Sequence, residues 1–335
     1  MFEPVTIKDI AIALGLSTST VSRALRDTHE ISAATKKLVL DYATEINYQP
    51  NPIALSLKER RSKSIGVVVS ELANSYFSQA INGIESIAYD RGYHVIISQT
   101  HESYEREVIN VKHLASRSVD GLLVSMSSLT NDISHLTNLH SKGLPIVFFD
   151  RVADEIDTHK VTANNEKGAY DATLHLIKSG CKRIAHLTSS SQLSISIERL
   201  EGYKTALLEN GIAINEDHIK YCLHGGMLYE ETENAIKELM ALPEKPDAIF
   251  VAGDRLSTGC LTVLKNLNIT GIVVAGFSNS DVLDLFNPSL TSVRQPAFEI
   301  GQLATKMLLE LIEAKYPVQE FEKKVLSTDL FVRTS

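Results

Sequence analysis

Thr18, Ser19, Ser22 and Arg23, in the stretch LSTSTVSRAL, are side chains that could read the groove of a nucleic acid. An arginine can set two parallel hydrogen bonds on guanine O6 and N7, and hydroxyls can bond base edges or phosphates. The same face would also suit the solvated side of an ordinary small helix, so the chemistry depends on the elements that carry it. Within residues 5–27, Thr6 is an N-cap and Asp9 stands three residues on, the spacing of a capping box, with Val5 and Ile10 at the two staple positions. Ile7, Ile10, Ala11 and Leu14 then repeat at helical spacing, and Gly15 falls where a helix ends in the left-handed conformation. Ser17 caps a second short helix with Val21, Ala24 and Leu25 on its inner face. Two short helices about a tight glycine turn form a helix-turn-helix, and its second helix turns the four candidate side chains outward.

The head that carries this motif differs in charge from the rest. Residues 1–63 hold nine Lys/Arg against seven Asp/Glu, +2, and the remainder 24 against 34, −10, within a net −8 over 335 residues. A weakly basic head on an acidic body fits a nucleic-acid module joined to something that avoids nucleic acid. Hydrophobic content of 44% is ordinary for a globular chain, and the length allows two or three domains. Cys181, Cys222 and Cys260 lie far apart with no CxxC, which reads as core residues in a reducing cytoplasm, without disulfide or metal. The first residues bear Glu3 and Lys8 and no apolar run, and no stretch approaches a membrane span, so the reading is cytoplasmic, with no signal peptide and no membrane contact.

Ser32 caps a third helix from Ala33 to about Asn47, with Thr35, Leu38, Tyr42, Ala43 and Ile46 inward; it stops before the prolines of YQPNP. IALSLKERRSKS (53–64) follows, read either as a linker or as a short helix that folds only on a partner surface. From residue 64 the rhythm becomes that of a parallel α/β protein. Apolar strands IGVVVS, HVIISQT, DGLLVSM and PIVFFD alternate with helices, and the pattern restarts after about Thr162 with RIAHLTSS, YCLHGG, DAIFVAG and IVVAGFSN. LTSVRQP, a long helix 297–315 and one last strand near 325–332 close the chain. Ligands in such sheets bind beyond the carboxyl ends of the strands, so a cleft between two lobes is expected.

TIKDIA, LSTSTVSRAL, INYQPNPIALSLK and SKSIGVVV, and later VDGLLV, IVFFDR, NNEKGAY, ERLEGY, PDAIFVAGD and PSLTSVRQP, resemble the LacI/GalR family of bacterial transcription regulators over essentially the whole chain. The resemblance implies a multidomain α and α/β fold: a helix-turn-helix head (1–48), a hinge helix (49–63), and a periplasmic-binding-protein-like core (64–335) of two α/β lobes with parallel sheets. Lobe 1 would take about 64–162 and 293–323, lobe 2 about 163–292 and 324–335, with crossings near 161–164, 290–293 and 323–326. It implies a homodimer or tetramer on a pseudo-palindromic operator in double-stranded DNA. Thr18, Ser19 and Arg23 match base-reading positions, and Thr6, Ser17 and Ser22 match phosphate contacts. Leu57 matches a minor-groove wedge with Lys58 beside it, and Ala54 a hinge–hinge contact. Leu55 departs from the family, which often carries Arg there.

In the core the resemblance, with the strand-end rule, points to Tyr76, Phe77, Asp150, Arg199, Met227, Asp254 and Ser278 as effector-binding residues. An aromatic can stack on a sugar or base ring, while Arg and Asp suit hydroxyl-rich ligands. Asp150 and Asp254 could instead be helix caps, and Tyr76 and Phe77 lobe packing. Ser278 stands where an acid is frequent in the family, and Leu193, Ile195 and Met227 make one wall apolar. The implied function is a repressor whose operator affinity follows a small-molecule effector, a sugar or sugar derivative, with no cofactor. The alternative is a core that answers to a protein co-regulator such as a phosphocarrier. An enzyme is disfavoured, because GxGxxG, P-loop, GxSxG and HExxH are absent. A carrier would need a leader and no head.

Overall fold

The computed structural model describes residues 5–26, 31–48, 61–285 and 289–333. The chain divides into two compact units, 1–62 and 63–335. In the first, α1 (Ile7–Leu14), α2 (Thr18–Ala24) and α3 (Ala33–Glu45) surround a small core of Ile10, Ala11, Val21, Ala24, Val39 and Ala43. The capping box forms: Thr6 Oγ1 accepts from the Asp9 amide while Asp9 Oδ2 accepts from the Thr6 amide at 2.8 Å. The amide and hydroxyl of Thr6 hold the Asp9 carboxyl below its ordinary value. Gly15, at φ 64°, ends α1 in the left-handed region, where a Cβ would be strained. In α3 the expected inner residues Tyr42, Ala43 and Ile46 pack on this core and Thr35 is half-buried, but Leu38 is 50% exposed and Val39 is buried in its place. The packing of Val39 and Ala43, four residues apart, against α1 and α2 decides this. The expected hinge residues Ala54, Leu57 and Lys58 lie outside the described residues.

The second unit holds two six-stranded sheets among the described residues. The first contains β1 (Ser64–Val69), β2 (His94–Gln99), β3 (Gly121–Val124), β4 (Ile146–Phe149), β5 (Lys160–Ala163) and β11 (Lys323–Leu326), in the order β11-β5-β4-β3-β1-β2, all parallel. The second contains β6 (Ile184–Thr188), β7 (Ile219–Tyr221), β8 (Ala248–Val251), β9 (Val273–Phe277), β10 (Thr291–Arg294) and β12 (Asp329–Phe331), in the order β12-β10-β9-β8-β6-β7, with only β12 antiparallel. Helices cover both faces, which is why the central strands are apolar on both sides. On lobe 1 lie α4 (Ser75–Asp90), α5 (Tyr104–Ser116), α6 (Ser134–His140) and α11 (Ala297–Glu313); on lobe 2 lie α7 (Asn165–Lys178), α8 (Ser194–Glu209), α9 (Tyr229–Ala241) and α10 (Asp254–Asn266). Backbones of α4 and α11 nearly touch: a Cβ on Gly301 would sit 2.0 Å from the Ala80 carbonyl, and one on Gly83 the same distance from that of Phe298.

Strand pairing moves two of the expected crossings. β10 stays on β9 through Val293↔Phe277, so the chain returns to lobe 1 at residues 295–296, not 290–293. Lys323–Leu326 pair with Lys160–Ala163, so the last crossing is at 327–328, and the single terminal strand expected over 325–332 is two strands in different sheets. Thr328 Oγ1 donates to the Asn164 carbonyl, and the Asn164 amide to that of Leu326, tying the first and third crossings together. β7 covers only Ile219–Tyr221, and residues 222–226, expected to continue it, form a turn in which Gly225 and Gly226 take positive φ. The helix expected over 131–142 is shorter because Asp132 Oδ1 accepts from the Ser134 amide and opens it there.

The three cysteines are buried. Burial pushes the thiols of Cys222 and Cys260 each up to about 12, well away from the reactive thiolate range. No described helix is long and apolar enough to cross a membrane.

Candidate functional site

The head presents a polar face on α2. Thr18, Ser19 and Arg23 are exposed and Ser22 is half-buried, while Val21 and Ala24 face the core. Ser17 caps the helix by accepting from the Thr20 amide at 3.1 Å, and its hydroxyl also meets those of Ser19 (2.7 Å) and Thr20 (2.8 Å). Ser22 is engaged by a residue the sequence reading passed over: Arg26 donates from Nε to the Ser22 carbonyl at 2.9 Å and from Nη2 to its hydroxyl. Two guanidinium-bearing side chains, Arg23 and Arg26, thus lie on or beside the candidate face. Thr6 is exposed at the start of α1, where backbone N–H groups suit an anion.

The core closes around an inner cavity of ≈ 60 Å³ between the lobes. On lobe 1 its wall is built at the ends of β1, β2 and β4. Asn74 caps α4 by accepting from the amides of Tyr76 and Phe77, which brings both rings inward. They meet edge-on at 5.3 Å. Asp150 follows β4 at φ 60°, and His101 and Glu102 follow β2 at φ 50° and 61°. Two of these left-handed non-glycine residues, Asp150 and Glu102, are buried on the cavity wall, where surrounding structure holds strained backbone as it does at functional sites. Arg151 donates from Nη1 to Glu102 Oε2 at 2.7 Å and to the Met126 carbonyl at 3.1 Å, and Glu102 Oε2 also accepts from the Ser128 amide at 2.8 Å. Burial raises the Glu102 carboxyl, but the Arg151 charge and these hydrogen bonds more than offset it and hold the group below its ordinary value. Burial pushes Asp150 up, and Arg151 and Arg199 only partly pull it back.

Lobe 2 contributes Arg199 from α8 and Asp254 from α10. Arg199 is 3% exposed; Nε and Nη2 donate to Asn165 Oδ1 at 2.9 and 2.7 Å, Nη1 donates to the Ala252 carbonyl at 2.7 Å, and the guanidinium stacks at 3.8 Å over Phe277. Three of its five N–H groups are therefore committed within the chain. Burial lowers its pKa to about 10, so it stays charged at neutral pH. Asp254 is raised by burial and pulled down by the Ser278 hydroxyl and by the amides of Ser75 and Tyr76 across the cleft. Further clasps join the lobes: Gln79 and Asn279 exchange hydrogen bonds at 3.0 and 2.8 Å, Asn279 pairs with the Gln295 backbone, and Arg255 pairs with Glu71.

Six of the seven expected effector residues, Tyr76, Phe77, Asp150, Arg199, Met227 and Asp254, line this one cavity. Ser278 stands behind, bonded to Asp254, and so positions a wall residue without forming the wall. Leu193 opens α8 and does not line the cavity, whereas Ile195 does. The sequence reading missed Glu102, Arg151, Ser189 and Gln295. The rule that found Asp150 at the end of β4 would have found Glu102 beyond β2 had it been applied there. Four buried side-chain atoms on this cavity, Tyr76 Oη, Arg151 Nε, Ser189 Oγ and Gln295 Nε2, have no hydrogen-bond partner among the described residues. Tyr76 and Gln295 both lie close to Asp150, though neither reaches it with proper hydrogen-bond geometry.

A larger cavity of ≈ 380 Å³ opens outside, along α10, and shares Asn74, Met227, Asp254 and Arg255 with the inner one. Among the described residues four buried side-chain atoms without a hydrogen-bond partner line the inner cavity and one, Thr232 Oγ1, belongs to the outer one's lining. Among the described residues no group of three His, Cys, Asp or Glu could hold a metal ion.

Comparison with known proteins bears on the family and the fold. Residues 6–51 match the family of bacterial regulatory proteins described as the lacI family, and residues 62–331 match the periplasmic binding proteins and sugar binding domain of LacI family. The chain is 33% identical to the HTH-type transcriptional repressor PurR of Vibrio campbellii (strain ATCC BAA-1116) over 98% of both chains. Among solved structures it is similar to a transcriptional regulator CelR–cellobiose complex (29% identity, 99% of each chain, TM-score 0.72). It is also similar to the lac repressor dimer bound to operator and the anti-inducer ONPF (26% identity, 99% of each chain, TM-score 0.79).

Proposed function

The chain belongs to the lacI family of bacterial regulatory proteins, and on that footing we propose that it is a repressor that binds a pseudo-palindromic operator as a homodimer, its affinity set by a sugar or sugar derivative held between the core lobes. The observation that carries the effector half is the set of four buried polar atoms on the inner cavity with no hydrogen-bond partner among the described residues. Buried polar groups are nearly always paired, so a site with four unpaired ones is built for a polar guest. Tyr76 and Phe77 supply faces for a ring, Asp150 and Asp254 accept its hydroxyls, and the two uncommitted N–H groups of Arg199 donate. Cellobiose, in the name of one similar structure, is a ligand of this chemistry. An inner cavity of ≈ 60 Å³ holds a few waters at about 10–15 Å³ each and no pyranose, so the guest must part the lobes or loosen the clasps. A ligand that favours one lobe arrangement shifts the equilibrium by its differential affinity, commonly about 1–3 kcal/mol of coupling.

On the DNA side, Thr18, Ser19 and Arg23 read base edges, Thr6, Ser17 and Ser22 hold phosphates, and Leu57, Lys58 and Ala54 act at the operator centre. Arg26, which holds Ser22, would exchange that contact for a phosphate on binding. Edge strand β2 exposes Ile96 and Ile97, which favours a second copy on that side. Arg23→Ala should cost about 1–3 kcal/mol and relax preference at one base pair per half-site. Competition binding with single-base operator variants checks this; an unchanged preference with weaker binding makes Arg23 a phosphate contact. For the effector, a thermal-shift panel of mono- and disaccharides should contain a compound that raises the melting point by mass action. A shift that survives when Asp150 is changed to Ala would put the ligand elsewhere.

A further inference from the structure

Every guanidinium on the inner cavity has a carboxylate beside it, and the carboxylates outnumber them by one. Arg151 faces Glu102 at 2.7 Å and Asp150 at 3.9 Å, Arg255 pairs with Glu71, and Arg199 lies within the field of Asp150. With Asp254 added, four carboxylates stand against three guanidiniums. An anionic ligand would therefore meet no unmatched positive charge, although the cleft is rich in arginine. The critical pair is Glu102–Arg151. Arg151 holds Glu102 through Nη1, while its Nε stands 3.9 Å from Asp150 Oδ2 without a hydrogen bond, so Glu102 is the carboxylate that holds this guanidinium directly. Glu102 is held by two donors on Oε2 and by left-handed backbone, and its other oxygen, Oε1, faces the Gly225 turn of lobe 2, where a Cβ on Gly225 would lie 3.4 Å away. Ser189 Oγ, another unpaired donor, lies at the same turn.

We propose that Glu102 sets the charge selectivity of the cleft: by neutralising Arg151 and presenting Oε1 to the guest, it admits uncharged hydroxyl-bearing ligands and rejects phosphorylated or carboxylated ones. This rests on the cleft being the effector site. The physical reason is that removing the Glu102 carboxylate takes away the one negative charge in excess and frees a donor on the buried Nη1 of Arg151, whose guanidinium keeps Asp150 at 3.9 Å. A phosphate can then take the vacated place by charge-assisted hydrogen bonds.

The test uses inorganic phosphate and glucose 6-phosphate as probes in isothermal titration of the full chain. The unaltered protein should bind neither measurably. Glu102→Gln should gain phosphate affinity by about tenfold or more, and the double variant Glu102→Gln/Arg151→Gln should lose the gain. If Glu102→Gln melts too low to titrate, Glu102→Ala exposes the same guanidinium and should show the same gain. Phosphate binding to the unaltered protein at least as tight as to the variants, or no gain in either variant, would overturn the proposal. The absence of any sugar response bears on the effector reading alone, because the phosphate titration reads the charge pair directly.

Discussion

Arg199→Ala should cost the core about 3–5 kcal/mol and abolish the effector response together. The guanidinium is buried, holds Asn165 twice and the Ala252 carbonyl once, stacks on Phe277 and opposes Asp150. Removing it leaves the Asn165 amide oxygen without its two donors and strips Asp150, already raised by burial, of one of its two cations. Leaving buried groups unsatisfied is far more costly than the net worth of the bonds that held them. Arg199→Lys is the informative companion, since lysine keeps the charge but has no planar fork to hold Asn165 and Ala252 at once. It should keep much of the stability and still lose effector binding. Urea unfolding read beside a sugar titration separates the two effects. Full effector affinity in Arg199→Lys would show that Arg199 only packs lobe 2.

Acidification should weaken the core through His186, by about 2–3 kcal/mol between pH 6.5 and 4.5 at about 1.4 kcal/mol per pH unit. His186 is buried between the rings of Tyr203 and Phe250, each 4.9 Å away, with Nδ1 3.2 Å from the Phe250 carbonyl. A neutral ring donates there, and Nε2 has no hydrogen-bond partner among the described residues. Burial lowers its pKa to about 3, only partly opposed by that carbonyl. Below its unfolded value the unfolded chain takes up a proton that the folded chain refuses. The stabilisation is therefore complete above pH 6.5 and drains away as the pH falls toward 3. His186→Phe keeps the ring stack, loses one hydrogen bond at neutral pH, and should flatten the stability profile over this window. Parallel profiles for variant and parent would rule out His186 as the source.

The helix-turn-helix was legible because every signal for it is local: cap, staple, glycine and stripe all fall within twenty residues. The alternation of strands and helices was legible too, since strands covered on both faces must be apolar throughout. What escaped depended on partners far along the chain. Nothing in the composition of VLSTDLFV marks the sheet change at Ser327–Thr328, because either sheet accepts such residues; pairing with Lys160–Ala163 decides it. On α3 the choice between Leu38 and Val39 escaped because the two are equally apolar, and only contact with α1 and α2 decides which is buried. In the cleft, Tyr76, Asp150, Arg199 and Asp254 were found from strand ends and resemblance. Glu102 was within reach of the strand-end rule, but its pairing with Arg151, 49 residues away, was not, because the two charges approach each other only in the folded chain. The commitments of Arg199 within lobe 2 were likewise invisible, since Asn165 and Ala252 approach it only in the folded chain.

The most direct measurement is selection of binding sites from a random duplex pool by the full-length chain at moderate salt, repeated with the sugar found by thermal shift. The expected result is a pseudo-palindromic site held about 10³-fold or more above bulk duplex, with affinity changing by about 5–150-fold when the sugar is added. Equal retention of every duplex, with and without the sugar, would contradict it.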